Sequence, residues 1–435
     1  LAPSLSLSAI VAQQPQIYTE YVMRCYPCLF KCIESRVPVT CFDWINALYS
    51  NTSDYPSAPT PLDWSLRAQT TTYIGLVHND DRLLEAGNIA YIKGLKGLGR
   101  MLSNPERAKS DDALTTAMGL AIYEKYAHTM PDSWLRHAAG LRALMKLRGA
   151  GCALQGFGQT MYMAYRQLFI TAALISGEEC FLEGKEWMAV SEQLAIQNAK
   201  QPDSSVYTDI VERGFREMTR VPGYVKRTRE LLSSQSPSAE HPKQKQKTKQ
   251  SQSQSQKQAK AVRKSLLQSI LATRAALRGI HTELGISSSM LQSGTTDAGF
   301  IGPIPYVFFD SFSTRTMRGI RSGIVVLNCL VALLDPVQRD ALERENRTLL
   351  PESFDEVDHG NEKEDDRYEE GSSSFPTPPQ SAVEVAGNGK GKRTRLVIEN
   401  LISVHARQML VSDWMDRLMT TYGMDGVRVY LVDED

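Results

Sequence analysis

A chain of 435 residues, 42% hydrophobic and 23% charged, is long enough to bury a sizeable core and to form two or three domains. Its 49 basic residues balance its 49 acidic ones, so no global field directs it to nucleic acid, to a membrane surface or to an acidic polymer. The longest apolar run, Gly323 to Leu334, contains Asn328 and falls short of the ~20 residues a bilayer requires, so it reads as a buried core helix and no membrane partner is expected. The seven cysteines (Cys25, Cys28, Cys32, Cys41, Cys152, Cys180 and Cys329) are too sparse for a disulfide scaffold and predict a reducing, intracellular setting. Leu1 to Ala12 is mildly apolar but lacks the basic flank of a secretory signal, and Leu rather than Met at position 1 predicts coding sequence upstream.

Residues 1–61 read as an N-terminal segment of helix and loop. Apolar residues are dense from Ile17 to Ile33, Phe42, Trp44 and Ile45 keep near-helical spacing, and Asn51 to Pro61, with Pro56 and Pro59, is a loop. Residues 62–232 read as the first part of a helical domain. Asp63 is expected to cap a helix carrying Leu66, Tyr73, Ile74 and Val77. Asp80 or Asp81 starts the next, with Leu83, Leu84, Ile89, Ile92, Leu95, Leu98 and Leu102, and Gly94, Gly97 and Gly99 are expected to loosen its end. Asp111 or Asp112 then caps a helix with Leu114, Met118, Ala121, Ile122 and Lys125 on one side, which Pro131 interrupts. Asp132 is the expected N-cap of a helix that aligns Trp134, Ala138, Leu141 and Met145, and Gly149 and Gly151 stop it. Further helices follow at Gln159 to Ile175, Trp187 to Asn198, Val206 to Met218 and from Pro222 to Leu232.

The composition then changes. Residues 233–262 are mostly Ser, Gln and Lys and are expected to form a disordered linker, because they bury too little to offset the entropy of ordering. Residues 263–350 read as the second part of the helical domain, with helices at Leu266 to Leu284 and Arg315 to Leu334 and a third that Asp335-Pro336 starts and that runs to about Arg347. Ile304 to Phe309 fits either a strand or a packed loop. Residues 351–393 form a second disordered block, acidic from Asp355 to Glu370 and then rich in Pro, Gly and Ser. Residues 394–435 complete the chain as a C-terminal helix, Thr394 to Tyr422, and a tail in which Val427 to Val432 can make one short strand. With strand signals otherwise nearly absent, the fold class is all-α: an irregular multi-helix bundle with two disordered low-complexity insertions.

Several constellations bear on chemistry. Cys25-Tyr26-Pro27-Cys28, with Cys32 and Cys41, has the spacing of a redox or zinc motif but lacks the preceding strand of the first and the second close pair of the other. These cysteines read better as small buried residues. Gly94 to Gly99 fits neither a dinucleotide fingerprint nor a phosphate loop, and the seven histidines form no metal-binding pair. His137, beside Trp134, reads as a satisfied histidine rather than a ligand. No nucleophile, paired carboxylates, cofactor site or metal site emerges, so no catalytic residue is nominated. Two basic tracts, Lys243 to Lys264 and the smaller set Lys390, Lys392, Arg393 and Arg395, can serve as nuclear-import signals, phosphate contacts or solvated linkers. The acidic block, with Phe354, Val357, Tyr368 and Phe375 interspersed, has the composition of an activation segment or of a plain spacer.

Tyr123-Glu124, Trp134 with His137 and Gly140, Leu147-Arg148-Gly149, Cys180-Phe181-Leu182 and Trp187 follow one another in an order that resembles the regulatory middle region of fungal zinc-cluster transcription factors. The resemblance covers Leu62 to Arg220 and, more loosely, Leu266 to Arg347. It implies a non-enzymatic, nuclear helical domain that modulates an attached DNA reader in RNA polymerase II transcription and takes effectors, other regulators or the transcription machinery as partners, with these residues in structural roles. The six-cysteine cluster that reads DNA in that family is not supplied by the cysteine spacing here, so zinc and DNA contact are expected only through a cluster upstream. A finger-less scaffold that dimerises with true factors is the alternative, and dimerisation itself is left open. An all-α enzyme of unknown chemistry comes third; Asp111-Asp112, followed by Ala113-Leu114-Thr115, lacks the second half of an aspartate-rich DDxxD helix.

Overall fold

The computed structural model describes residues 13–25, 59–127, 129–130, 133–199, 206–234, 249–290, 307–308, 311–350, 382–383, 393–401 and 421–434. The fold is all-α, and its few strands are confined to two small antiparallel sheets. The chain divides into two compact units, one made of Leu1–Ala172, Gly184–Leu194 and Leu401–Met419, the other of Ala173–Glu183, Ala195–Asn400 and Thr420–Asp435.

The first unit contains α1 (Gln14–Cys25), α2 (Pro61–His78), α3 (Asp81–Leu102), the single turn α4 (Pro105–Ala108), α5 (Asp111–Ala127) and α6 (Ser133–Arg148), with most of α7 (Gly156–Ser176) and α8 (Lys185–Ala199). The start of α2 differs from expectation. Thr60, not Asp63, is the N-cap; Asp63 occupies the third helical position, where its carboxylate accepts from the Thr60 backbone N–H at 2.8 Å while its own N–H donates to the Thr60 hydroxyl at 3.2 Å. Pro61 in the first turn loses nothing by lacking an N–H. Asp80 caps α3 by accepting from the Arg82 N–H at 3.0 Å. At α5 the Ser110 hydroxyl accepts from the Ala113 N–H at 3.2 Å, which leaves Asp111 and Asp112 in the first turn, facing the positive end of the helix dipole. Asp132 lies outside the described residues. Gly149, at φ 79°, ends α6, and the 3-10 turn Ala150–Leu154 follows. The Arg148 guanidinium, almost wholly buried, returns to the start of α5, donating to the Ser110 carbonyl at 3.0 Å and to the Asp111 carboxylate.

The glycines expected to loosen α3 instead let it approach its neighbours. The helix continues to Leu102. A Cβ at Gly97 would lie 2.7 Å from the Cβ of Pro61, and one at Gly94 would lie 2.9 Å from the Cδ2 of Leu120 on α5. Gly87 meets Thr72 and Gly75 meets Leu84, so α2 and α3 run antiparallel in contact along their length. Helix α1 packs on α2 through Ile17 and Tyr21 against Tyr73 and Ile74, and the buried Gln14 amide donates to the Thr70 and Thr71 hydroxyls at 3.3 and 3.5 Å.

The second unit contains the ends of α7 and α8, the 3-10 turn Phe181–Glu183, α9 (Val206–Met218), α10 (Val221–Ser233), α11 (Lys249–Ser288) and β1 (Ser289–Met290). These are followed by β2 (Val307–Phe308), α12 (Ser311–Leu334), the 3-10 turn Pro336–Gln338, α13 (Arg339–Leu349), β3 (Ala382–Val383), β4 (Arg393–Asn400), the 3-10 turn Met424–Gly426 and β5 (Val427–Glu434). Helix α12 is the centre of this unit and packs against α10, α11, α13 and β5. Its Thr314–Leu334 stretch is long and apolar enough to cross a bilayer by length and composition, but 83% of its most apolar window is buried. Asn328 inside it donates to the Asn346 side-chain oxygen of α13 at 2.8 Å, and Arg263 of α11 donates to its last carbonyl, Leu334, at 2.8 Å. Both contacts suit a core helix.

Three expectations are corrected here. Helix α11 begins at Lys249, inside the segment 233–262 expected to be a disordered linker: beyond Pro242 the stretch has no proline or glycine, and Gln, Lys and Ala extend the amphipathic helix that buries Leu266, Ile270 and Leu277. Asp335 does not cap α13. Its carboxylate accepts from the Gln338 side chain at 2.7 Å, and a 3-10 turn precedes the helix. The expected helix Thr394 to Tyr422 is, in its described first part, strand β4, because Thr394, Val397 and Ile398 are β-branched and the final segment pairs with them in unbroken register from Arg393↔Glu434 to Asn400↔Val427. The final strand is present and runs two residues further than expected, entered through Tyr422 at φ 56° and Gly423 at φ 82°. Of the acidic block 351–393, only Ala382, Val383 and Arg393 are described, the first two pairing with β4.

The α2–α3 contact makes a direct prediction. Gly87→Ala forces a methyl onto Thr72 and is expected to cost about 1–3 kcal/mol by overpacking, read as a lower midpoint in thermal unfolding. Thr72→Ala in the same chain should recover part of that loss, as the two sites are in contact.

Candidate functional site

Three helices of the first unit meet at a buried polar network. Helix α3 supplies Asn88 and Tyr91, α5 supplies Tyr123 and Glu124, and α6 supplies Trp134 and His137. Glu124 is 3% exposed. One of its carboxylate oxygens accepts from the Tyr91 hydroxyl in a very short hydrogen bond. The other accepts from the Thr129 hydroxyl at 2.6 Å and from the Thr129 N–H at 3.3 Å. Charge-assisted bonds of this kind replace the water lost when a carboxylate is buried.

The Tyr91 oxygen also lies 3.2 Å from His137 Nε2. Since the single Tyr91 proton goes to Glu124, His137 must donate from Nε2, which assigns its tautomer from the network. A donor line therefore runs from His137 through Tyr91 to Glu124. The Tyr91 and Tyr123 rings stack with centroids 4.1 Å apart and planes 17° from parallel, and the Tyr123 hydroxyl reaches the Asn88 side-chain oxygen at 3.4 Å.

These surroundings shift the titrating groups. Burial, helped by the neighbouring Glu124 charge, pushes the Tyr91 phenol far above its ordinary range and the Tyr123 phenol up to about 12. Burial holds the His137 imidazole below its usual value, against the opposing pull of Glu124. Both tyrosines are thus neutral donors at physiological pH, and His137 is a neutral donor at and above neutrality. The network ties α3, α5 and α6 to one buried carboxylate.

Other nominated residues are placed as follows. Trp134, Ala138, Leu141 and Met145 are buried on one face of α6, as the periodicity predicts. Trp187 is buried and stacks on Tyr162, with centroids 6.0 Å apart. Cys180, Phe181 and Leu182 are buried in the second unit. Gly140 and Leu147 are exposed, and a Cβ at Gly140 would meet nothing within 4 Å. Lys390 and Lys392 lie outside the described residues, whereas Arg393 and Arg395 belong to β4, with Arg395 half-buried. Cys25 ends α1, and Cys28, Cys32 and Cys41 lie outside the described residues. Among the described residues no group of three or more His, Cys, Asp or Glu is placed to hold a metal ion.

Tyr91, Asn88 and Thr129 were not nominated from sequence. The one local signal was Glu124, an acid that directly follows the apolar run Leu120 to Tyr123.

No family model and no solved structure matches the chain. It is similar to an uncharacterized protein of Emericella nidulans, AN5342, at 42% identity over 441 residues, which cover 99% of this chain and 84% of that protein.

The depressed His137 predicts an acid-side loss of stability. The unfolded chain takes up its imidazole proton near pH 6.5, before the folded chain does, so the contribution is complete above that pH and declines as pH falls below it. His281 in the second unit, lowered to about 4 by burial and by the Arg321 guanidinium, adds a decline of the same sign that ends near pH 4. Thermal midpoints between about pH 7.5 and pH 5.5 should fall less steeply in His137→Gln than in the unmodified chain.

Proposed function

The chain belongs to the same family as that Emericella nidulans protein, and we propose that it is the helical regulatory domain of a fungal transcriptional regulator of the zinc-cluster type, acting in the nucleus on RNA polymerase II transcription. What supports this reading is the place in the fold of the residues whose order resembles that of the zinc-cluster factors. Tyr123, Glu124, Trp134 and Trp187 are interior to the first unit and Cys180, Phe181 and Leu182 to the second, each engaged in packing or in hydrogen bonds within the fold. Such a domain acts by presenting helix surfaces to effectors, to other regulators or to the transcription machinery. In this proposal DNA contact and zinc fall to a zinc cluster outside these helices, and the basic set Lys390, Lys392, Arg393 and Arg395 is the nuclear-import signal. No catalytic step is assigned.

The test is to fuse the chain to an unrelated DNA-binding domain in a fungal host and to measure transcript from a reporter carrying the matching site, with a fluorescent tag reporting location. Nuclear accumulation and a several-fold change in reporter transcript, absent for the unfused DNA-binding domain, are expected. A stable nuclear fusion that leaves the reporter unchanged, or exclusion of the tagged chain from the nucleus, would overturn the reading.

A further inference from the structure

Helix α11 carries charge of one sign over most of its length. Between Lys249 and Thr282 it holds seven lysines and arginines and no acid. Three of these cations are engaged: Arg263 donates to the Leu334 carbonyl at 2.8 Å, and Arg274 and Arg278 converge on Glu345 of α13, Arg274 at 2.6 Å. Lys257, Lys260 and Lys264 are not. They stand at three- and four-residue steps and so share a face, all three are exposed, and among the described residues none makes a hydrogen bond or ion pair. Val262, on the side that further along buries Ile280, is 50% exposed, so the core over the later turns of α11 does not extend over this one. Like charges this close repel until counter-charge covers them.

The opposite charge lies in the same unit. Residues 355–370 hold nine acids against Lys363 and Arg367. They lie outside the described residues, but the chain is held on both sides of them. Before them, α13 ends at Leu349, and its Glu345 is fixed on Arg274 and Arg278, so the chain leaves beside α11. After them it is next held at β3, paired with β4, whose Thr394 hydroxyl accepts from Arg339 at 3.0 Å. Arg339 opens α13, one 3-10 turn after Leu334, whose carbonyl Arg263 holds. The segment is thus tethered at one end near the Arg278 level of α11 and at the other near Arg263, the neighbour of Lys264 in sequence.

The reach is sufficient. At a rise of ~1.5 Å per residue, Lys264 stands ~21 Å and Lys257 ~32 Å along α11 from Arg278, whereas the ~12 residues from Leu350 to Glu362 span up to ~40 Å when extended. Single surface pairs contribute little, but a tethered segment meets this face at high effective concentration and with several acids at once. We propose that residues 355–370 dock in cis on the Lys257, Lys260 and Lys264 face of α11, so that the chain covers its own basic helix.

The test uses the full chain. A zero-length carbodiimide, which condenses a lysine amine with a carboxylate in contact with it, should join Lys257, Lys260 or Lys264 to acids of residues 355–370 at low salt and fail to do so at high salt. In a mixture of isotope-labelled and unlabelled chain, these links should fall within one copy. Cleavage by a Glu-specific protease after Glu362, Glu364, Glu369 and Glu370 should be several-fold faster when Lys257→Glu, Lys260→Glu and Lys264→Glu are combined, and unchanged when all three lysines become Arg. The thermal midpoint should stay where it is, since the three side chains are exposed and unpaired. The links are read on the unmodified chain, so they decide the matter even where the reversed variant is less stable. Absence of the links, links only between copies, or a cleavage rate that charge reversal leaves unchanged overturns the proposal.

Discussion

Glu124 sets a carboxylate inside a helical core, and much of the first unit follows from the need to satisfy it. An isolated buried carboxylate would cost several kcal/mol, and it persists only where donors replace its water. Here the donors come from two places: the Tyr91 hydroxyl on α3 and both the hydroxyl and N–H of Thr129 beyond the end of α5. Tyr91 reaches Glu124 because α3 lies close against α5, an approach for which Gly94 leaves room beside Leu120. The His137 contact with Tyr91 then brings α6 to the same point. Arg148 adds a second tie by gripping the first turn of α5 from the end of α6.

The second unit is built on a different principle. Helix α12 is apolar over most of its length, and its neighbours cover it, so burial rather than a polar network holds it in place. The polar contacts that occur there terminate or index helices. Arg263 caps the α12 carbonyl end, Asn328 sets the pairing with α13, and Arg274 and Arg278 of α11 converge on Glu345. These contacts set helix ends and pairings, and the apolar interface around α12 carries most of the burial.

Periodicity made the helices legible from sequence, because a 3.6-residue apolar stripe is a local signal, and α9 matches its predicted bounds at both ends. At β4 a non-local partner decided the outcome. Residues Thr394 to Asn400 carry no strand alternation of their own strong enough to exclude a helix, and they become β4 by pairing with a segment near the end of the chain. The serine- and glutamine-rich stretch from Lys249 to Val262 resembles a linker in composition, yet it continues a helix whose later turns are buried. Gly94 and Gly97 read as weak points of α3 because the neighbours that need their smallness lie on other helices. The polar network was half legible. Glu124 and His137 stood out as residues, but Tyr91, separated by 33 positions from the first and 46 from the second, is joined to them only by the fold.

Tyr123, Glu124, Trp134, His137 and Arg148 thus hold the interior of the first unit together by packing or hydrogen bonds, and the proposed regulatory role rests on surfaces that this interior supports. The claim that Tyr91 and Glu124 act as one unit is open to direct measurement by a double-mutant cycle. Unfolding free energies of Tyr91→Phe, Glu124→Gln and the double variant should reveal a coupling of about 1 kcal/mol or more, since each single change leaves the other group buried with a lost partner. Strict additivity of the two substitutions would contradict the account and return both residues to the status of independent core positions.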